Sequence, residues 1–275
     1  MTALAVAVLG RGLVDPAEPV LRADDEALAR GRAVFETLRV YDGRPFRLSG
    51  HLARLASSAE RVGLDPPPLV AIEHLATTAL AAVAVPDAVL RLYWTPGPPH
   101  GDPLALVLVG AVPDWIEPAR ARGQRLVSLF HPRRSTPWLL PATKSTSYAV
   151  NMAAEAEAKR RGADDAVFVD AERVVLEGPV TNIWWRRATT LFTPSLELGI
   201  LAGETRAALL ELAAEIGYEV RQGLYPLAEP EAADEVFTSS SVREVMPVVA
   251  LDGVAMPRGP AADELQAALR RAAAS

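Results

Sequence analysis

Residues 144–162 read KSTSYAVNMAAEAEAKRRG, and the fold turns on what begins there. The spacing predicts a helix: Tyr148, Met152, Ala153 and Ala156 recur on one apolar face, with Glu155, Glu157, Lys159 and Arg160 on the wet one. The Lys-Arg-Arg run before Gly162 suits the carboxyl end, where cations meet the negative pole of the helix dipole and glycine lets the chain leave. Lys144 stands at the other end, where its charge opposes the dipole, behind an apolar, proline-stiffened loop, STPWLLPAT. An amine there is either an ordinary solvated lysine or a nucleophile whose ammonium form is disfavoured by its surroundings. The segment alone leaves both readings open.

On the amino-terminal side, AVFETLRVYDGRPFRL predicts two strands about an Asp-Gly hairpin turn. SGHLARLASSAERVGL predicts a helix capped by Ser49, with Leu52, Leu55, Ala56, Ala59 and Val62 on one face. A second helix, LVAIEHLATTALAAVAV, and two strands, AVLRLYWT and LALVLVGAV, follow, the strands separated by the loop PGPPHGDP. PDWIEPARARG, with two prolines and mixed charge, reads as an interdomain connection. The expected organisation is a small α+β domain over residues 1–112, a linker over 113–122 and a larger domain over 123–275.

Beyond the linker, QRLVSLF is a strand, and DAVFVDAERVVLEG places two strands about an Asp-Ala-Glu-Arg turn. TNIWWRR, TTLFTP, YEVRQG, EVFTSSS and MPVVALDGVAM continue the β character. GETRAALLELAAEIG is a helix with Leu209, Leu210, Leu212 and Ile216 on its apolar face, and ADELQAALRRAAAS closes the chain as another. These elements predict an α+β fold with antiparallel-leaning sheets rather than a doubly wound parallel one.

Composition narrows the function. A chain of 275 residues, half of them apolar, can build two modest cores. The net charge of -6 argues against a nucleic-acid partner, which needs clustered Lys and Arg for counterion release. With no cysteine, disulfides and thiolate metal sites are excluded. The histidines, His51, His74, His100 and His131, do not stand at metal-ligand spacing, so no metal is expected. The opening residues lack a signal-peptide pattern and no apolar run reaches roughly 18 residues, so a cytoplasmic protein away from membranes is expected. There is no G-x-G-x-x-G after a strand, no G-x-x-x-x-G-K-[ST] and no G-x-S-x-G.

Three further stretches carry chemistry beside a plainer reading. In LAGETRAALL, the amides of Glu204 and Thr205 and the Thr205 hydroxyl at a helix start can hold an anion, or simply begin a helix. The hydroxyl run in TSSSVREV can bind phosphate, or form a turn. Glu177, ending VVLE before Gly-Pro, can pair with a protonated ring nitrogen, or lie as a surface acid on an edge strand.

The order of these pieces decides among the readings. Lys144, then Glu177 with Asn182 after it, then G-E-T-R opening a helix, then a hydroxyl run before Met-Pro-Val, resembles the class IV aminotransferases, the fold-type IV pyridoxal-phosphate enzymes. GRAVFETLRVYDGRPFRLSGHLARL is similar to that family's F-E-x-x-R and H-x-x-R-L block, and the likeness runs from Gly31 to Gly253. The resemblance implies a two-domain fold like that of D-amino acid aminotransferase, with a small amino-terminal domain, a larger mixed-sheet domain and pyridoxal 5'-phosphate as cofactor. It implies Lys144 as the lysine that holds the cofactor as an internal aldimine, and Glu177 as the partner of the pyridinium nitrogen. Arg54 would clamp the phosphate beside the amides of Glu204 and Thr205 and the hydroxyls of Ser240 and Ser241. Asn182 joins the same cofactor-binding set, Tyr148 would reach the ring hydroxyl, and a homodimer acting on a small amino substrate is implied.

Within the family, D-amino acid transaminases carry an arginine and a histidine in the loop that here reads TPGPPHGDP, with His100 but no arginine. Branched-chain enzymes carry glycine after F-E and a G-T-A turn where this chain has Ser239, Ser240 and Ser241. Thr37 and the Met-Pro-Val run match aminodeoxychorismate lyases, in which the Thr37 hydroxyl would assist proton transfer; the same threonine also suits a strand. The leading expectation is therefore a 4-amino-4-deoxychorismate lyase releasing pyruvate and 4-aminobenzoate. The alternatives are a transaminase of D-amino acids, branched-chain amino acids or (R)-amines, and a non-catalytic binding homologue. Arg39, Arg91, His100 and Arg243 are candidates for the substrate carboxylate.

Overall fold

The chain opens with a strand that its plain apolar start does not predict: β1 (Ala3–Val8) pairs antiparallel with β2 (Gly12–Val14). The computed structural model describes residues 2–130 and 140–274, which divide into two units, Met1–Pro113 with Thr143–Tyr148 and Asp114–Ala142 with Ala149–Ser275. The loop STPWLLPAT as far as Leu139, and His131, lie outside the described residues.

In the first unit, a short helix α1 (Glu26–Arg30) is capped by the Asp25 carboxylate. It leads to β3 (Val34–Tyr41), a tight turn, and β4 (Arg44–Pro45). Asp42 and Gly43 both take positive φ, 47° and 75°, as a two-residue hairpin turn requires. Helices α2 (Leu48–Arg61) and α3 (Leu69–Ala81) follow, then β5 (Ala88–Thr95) and β6 (Leu104–Ala111), in the six-stranded antiparallel order β2-β1-β6-β5-β3-β4. Period-two alternation sorts the faces of this sheet. Val34, Leu38, Val40, Leu90, Leu92 and Trp94 pack with Leu52, Leu55, Ile72 and Leu75 of the helices in one core. The alternate residues Phe35, Thr37, Arg39, Arg91 and Tyr93 therefore lie on the opposite face. Ser49 does not cap α2: the chain turns at Arg47 (φ 53°), the helix starts at Leu48, and no side chain caps it.

The second unit begins with α4 (Ile116–Arg122), so the stretch read as a linker contains a helix that buries Ile116 and Arg120. Then come β7 (Gln124–Phe130), α5 (Ala149–Arg160), β8 (Asp165–Val169), β9 (Asn182–Arg187) and β10 (Thr190–Pro194). The remainder is α6 (Glu204–Glu215), β11 (Glu219–Gly223), α7 (Ala228–Glu231), β12 (Glu235–Ser240), β13 (Glu244–Leu251), β14 (Val254–Ala255) and α8 (Ala261–Ala274). The sheet runs β11-β10-β9-β12-β13-β7-β8 and is mixed, as the resemblance implied. The β10-β9-β12-β13 run is antiparallel, whereas β10–β11, β13–β7 and β7–β8 are parallel, α6 carrying the chain back between β10 and β11 and α5 between β7 and β8. Buried Trp184 stacks on Phe237 at 6.1 Å, and buried Trp185 packs on Phe192 and Tyr225.

Helix α5 departs from its sequence reading in two ways. It starts at Ala149, beyond Lys144, and its buried residues are Ala154 and Ala158, leaving Met152 exposed together with Val150. Small alanines let the helix approach the sheet closely, and that close packing outweighs the larger apolar residues that the spacing had put inside. Among the described residues no helix is long and apolar enough to cross a membrane.

One buried charge ties three elements of this unit together. The Glu244 carboxylate, fully buried and at a positive φ of 56°, accepts from Arg120 at 2.7 Å, Arg270 at 2.7 Å and Gln266 at 2.8 Å. Arg120 keeps Glu117 and the carbonyls of Arg243 and Val245 when this carboxylate is removed, so Glu244→Ala is expected to cost the charged hydrogen bonds alone, about 1.5–3 kcal/mol. Chemical denaturation checks this, and a loss under about 1 kcal/mol would show the network to be dispensable.

Candidate active site

Lys144 is held by its backbone. The segment 144–147 runs antiparallel beside the start of β3: Phe35 N–H donates to the Lys144 carbonyl at 3.1 Å, Val34 bridges Ser145, and Thr146 N–H donates to the Ala33 carbonyl at 2.9 Å. The other side of Lys144 is fixed by α2, since its own N–H donates to the Oγ of buried Ser58 at 3.2 Å. Thr146 and Ser147 hydroxyls both reach the Gly31 carbonyl, and a Cβ at Gly31 (φ 64°) would meet Ser147 Oγ at 2.8 Å. Lys144 thus stands on an extended strap before the helix rather than at its dipole, which removes the electrostatic conflict read from the sequence. Its Nζ lies 4.3 Å from the centroid of the Phe35 ring, a cation–π contact worth about 0.5–1 kcal/mol at an exposed site. Tyr93 stacks on Phe35 at 5.8 Å and Tyr148 meets its edge at 5.5 Å.

Behind this strap lies a buried triad. Glu36, next to Phe35, points to the helical side, and both its oxygens take N–H groups of Arg54: Nε to Oε1 at 2.8 Å and Nη2 to Oε2 at 2.6 Å. His51 Nδ1 is 2.7 Å from Oε2, and His51 and Arg54 share one face of α2 at i and i+3. Burial pushes the Glu36 carboxyl up, yet the hydrogen bonds from Arg54 and His51 and then their charges carry it down to about 2. A carboxyl depressed from its usual 4.5 stabilises the fold above that value and loses its contribution as pH falls toward 2. The stability difference between wild type and Glu36→Gln, measured by denaturation from pH 7 down to pH 2, is therefore expected to shrink through that window.

The remaining candidates of the first unit differ in their engagement. Thr37 lies in register opposite Arg91, two residues along the Phe35 face. Arg91 Nε is buried without a hydrogen-bond partner among the described residues. Arg39, also buried, sits 3.8 Å from Asp87 and 5.3 Å from the Tyr41 ring centroid. His100 is exposed at φ 62° in a loop whose root is tied by Gly97 N–H to Thr95 Oγ1 and by Thr95 to buried Asp25.

In the second unit, Glu177 is no edge-strand surface acid. Its half-buried carboxylate accepts Leu201 N–H at 3.0 Å, and its backbone carbonyl accepts Phe168 N–H. Leu201 returns its carbonyl to Asn182 Nδ2 at 3.1 Å, so one residue links acid and amide. Asn182 then sets the start of α6: a Cβ at Gly203 would come 2.1 Å from Asn182 Oδ1, so glycine alone fits where the helix opens. No side chain caps that helix, which leads off with Glu204 and buried Thr205. Arg206, one residue on, carries a guanidinium that burial lowers while the Glu177 charge raises it; its Nη2 reaches Pro194 and Gln222. The hydroxyl run is adjacent, Ser239 pairing with Asn182 across β12 and β9 and accepting the Trp184 indole N–H at 2.9 Å. Ser240 Oγ accepts the Arg243 N–H, Ser241 opens the following turn, and the Arg243 side chain is paired with Asp165 and Glu155 over Trp115.

The structure therefore links Glu177, Asn182, the α6 start and Ser239 in the second unit; in the first it sets Lys144 and Tyr148 on Phe35, Thr37 opposite Arg91 on that same face, and Arg54 on Glu36 on the helical side. Glu36, His51, Ser58 and Leu201 escaped the sequence reading. For Glu36 and His51 the signal was present in F-E and H-x-x-R, whereas the Ser58 and Leu201 contacts are tertiary. The chemistry of these donors fits the expected cofactor: an uncapped helix start with hydroxyls suits phosphate, and an acid fixed by a backbone N–H suits a protonated ring nitrogen.

A fold IV transaminase from Curtobacterium pusillum matches the chain with a TM-score of 0.91 at 33% identity, covering 96% of this chain and 97% of that one. The pyridoxal-phosphate-bound form of a hypothetical aminotransferase from Mycobacterium tuberculosis matches with a TM-score of 0.91 at 35% identity, covering 98% of each. The architecture is that of a fold-type IV enzyme. The chain belongs to the class IV amino-transferases, whose family model matches residues 33–251, and is by that membership a pyridoxal-phosphate-dependent enzyme. It is 35% identical to a bifunctional aminodeoxychorismate lyase / D-amino acid transaminase of Mycobacterium tuberculosis, over 94% of this chain and 95% of that one. It is also 30% identical to an aminodeoxychorismate lyase of Bacillus subtilis, over 86% and 83%, and 31% identical to a putative branched-chain-amino-acid aminotransferase of Methanocaldococcus jannaschii, over 87% and 85%.

Proposed function

We propose that the chain is a 4-amino-4-deoxychorismate lyase that releases pyruvate and leaves 4-aminobenzoate. The observation that carries the reading is Thr37 in register with Arg91, on the sheet face where Lys144 Nζ meets Phe35. A hydroxyl there suits proton relay and a buried guanidinium nitrogen without a partner suits a carboxylate. Similarity to lyases of Mycobacterium tuberculosis and Bacillus subtilis supports it.

In this reading Lys144 supplies the amine that receives pyridoxal phosphate, and Glu177, fixed by Leu201, holds the proton on the ring nitrogen. When bound, the cofactor supplies an electron sink for the substrate carbanion. In this reading the α6 start with Thr205, Ser240 and Ser241 would hold the phosphate, Asn182 setting that helix start, and the family likeness assigns Arg54 to the phosphate and Tyr148 to the ring hydroxyl. Arg91 orients a substrate carboxylate. Lys144 then takes the proton from the carbon bearing the amine, and the neighbouring carbon–oxygen bond breaks with its electron pair passing to the departing enolpyruvate. That proton, relayed through Thr37, neutralises the leaving group, which becomes pyruvate. Arg39 and Arg243 are given structural roles, since each already faces a carboxylate.

Arg91 also favours a second reading, transamination of D-amino acids, because a guanidinium suits the carboxylate of a keto acid equally. The test is turnover of aminodeoxychorismate with no keto acid present. Formation of pyruvate and 4-aminobenzoate is expected, with Arg91→Gln raising KM about tenfold. Turnover only of D-alanine with a keto acid would replace the lyase by the transaminase. We also propose a homodimer as the working form, in keeping with the exposed Val150 and Met152 on α5; sedimentation at the monomer mass would refute it.

A further inference from the structure

Arg54 is assigned to the phosphate above, but Glu36 and His51, which hold it, have no role in that chemistry. The arrangement is nonetheless built with care: the Glu36 carboxylate is wholly buried, both its oxygens are used by one guanidinium, and a second buried side chain, His51, holds Oε2. A surface arginine samples many rotamers, whereas a planar guanidinium gripped along one edge by a buried carboxylate is held in one fixed plane.

Position sharpens the point. Glu36 follows Phe35, whose N–H holds the Lys144 carbonyl, and Arg54 precedes by one helical turn Ser58, whose hydroxyl holds the Lys144 N–H. The same strand and helix that fix the lysine backbone therefore fix the guanidinium plane, so the two cationic groups share one rigid frame. We propose that Glu36 and His51 are positioning residues that set Arg54 for the phosphate of the cofactor; this rests on the reading of Arg54 as a phosphate ligand.

A competing role predicts the opposite sign. If Glu36 only neutralises a buried arginine, removing its charge leaves the local field more positive and phosphate affinity rises. If it positions Arg54, affinity falls, and only for ligands that carry phosphate.

The experiment titrates the apo-protein with pyridoxal 5'-phosphate and, separately, with pyridoxal, following visible absorbance. Wild type, Glu36→Gln, His51→Gln, Glu36→Asp and Arg54→Lys are compared, each checked for a cooperative thermal transition. For Glu36→Gln and His51→Gln we expect the Kd for pyridoxal phosphate to rise about tenfold or more while that for pyridoxal stays within about twofold, with Glu36→Asp restoring part of the loss. Equal weakening toward both ligands, or tighter binding of pyridoxal phosphate, overturns the proposal. Should Glu36→Gln fail to fold, His51→Gln decides alone, because it leaves the Glu36 charge in place and removes only the buried imidazole that holds Oε2. An unchanged ratio of the two affinities in Arg54→Lys would instead remove Arg54 as a phosphate ligand, a failure of the underlying reading rather than of the positioning.

Discussion

The antiparallel pairing of the strap 144–147 with the start of β3 is the constraint on which the first unit's chemistry depends. A lysine on a loop would lose its position with every fluctuation of that loop. Here the Lys144 carbonyl is tied to a strand and its N–H to a helix, so the side chain leaves from a backbone held on both sides. Because the strap adds at the edge residues 31–35, the aromatic face of β3 and β5 comes directly beneath the amine, and Phe35, Tyr93 and Tyr148 form its surroundings. Local separation along the chain is irrelevant to this; Gly31 at φ 64° allows the close approach that a side chain would block.

The second unit solves a different problem with similar economy. An acid and a helix start must be held in register, and one residue does it: Leu201 gives its N–H to Glu177 and its carbonyl to Asn182, whose Oδ1 occupies the space that a Cβ at Gly203 would need. Glycine is required there by packing rather than by φ, which is an ordinary extended value. Arg206 lies near enough for the Glu177 charge to offset part of its burial, so the acid, the amide, the helix start and the arginine form one electrostatic neighbourhood. The mixed sheet serves this arrangement by setting Ser239 beside Asn182.

Much of the fold was legible because its signals are local. The strands at 88–95 and 104–111, the Asp-Gly turn and the helices at 204–215 and 261–274 follow from alternation, turn chemistry and period. The failures were equally physical. Helix α5 buries Ala154 and Ala158 rather than its larger apolar residues, since contact distance to a sheet is not encoded in hydrophobicity. Arg47 began α2 without a cap, and β1 was overlooked because its small alternating residues resemble a plain apolar start.

By itself the sequence determined the identity and order of the chemical groups: Lys144, Glu177, Asn182, the G-E-T-R helix start and the serine run, a series that identifies the family whatever their distances. Tertiary structure decided which of these groups are held and by what. It made the lysine a strand-borne residue instead of a helix-borne one, gave Arg54 a buried carboxylate and Arg243 two acidic partners, and set Thr37 opposite Arg91. The reason is that a hydrogen bond across β3 and the strap, or across Glu36 and α2, depends on distances set by packing, and residues far apart in sequence carry no mark of the partners they will meet.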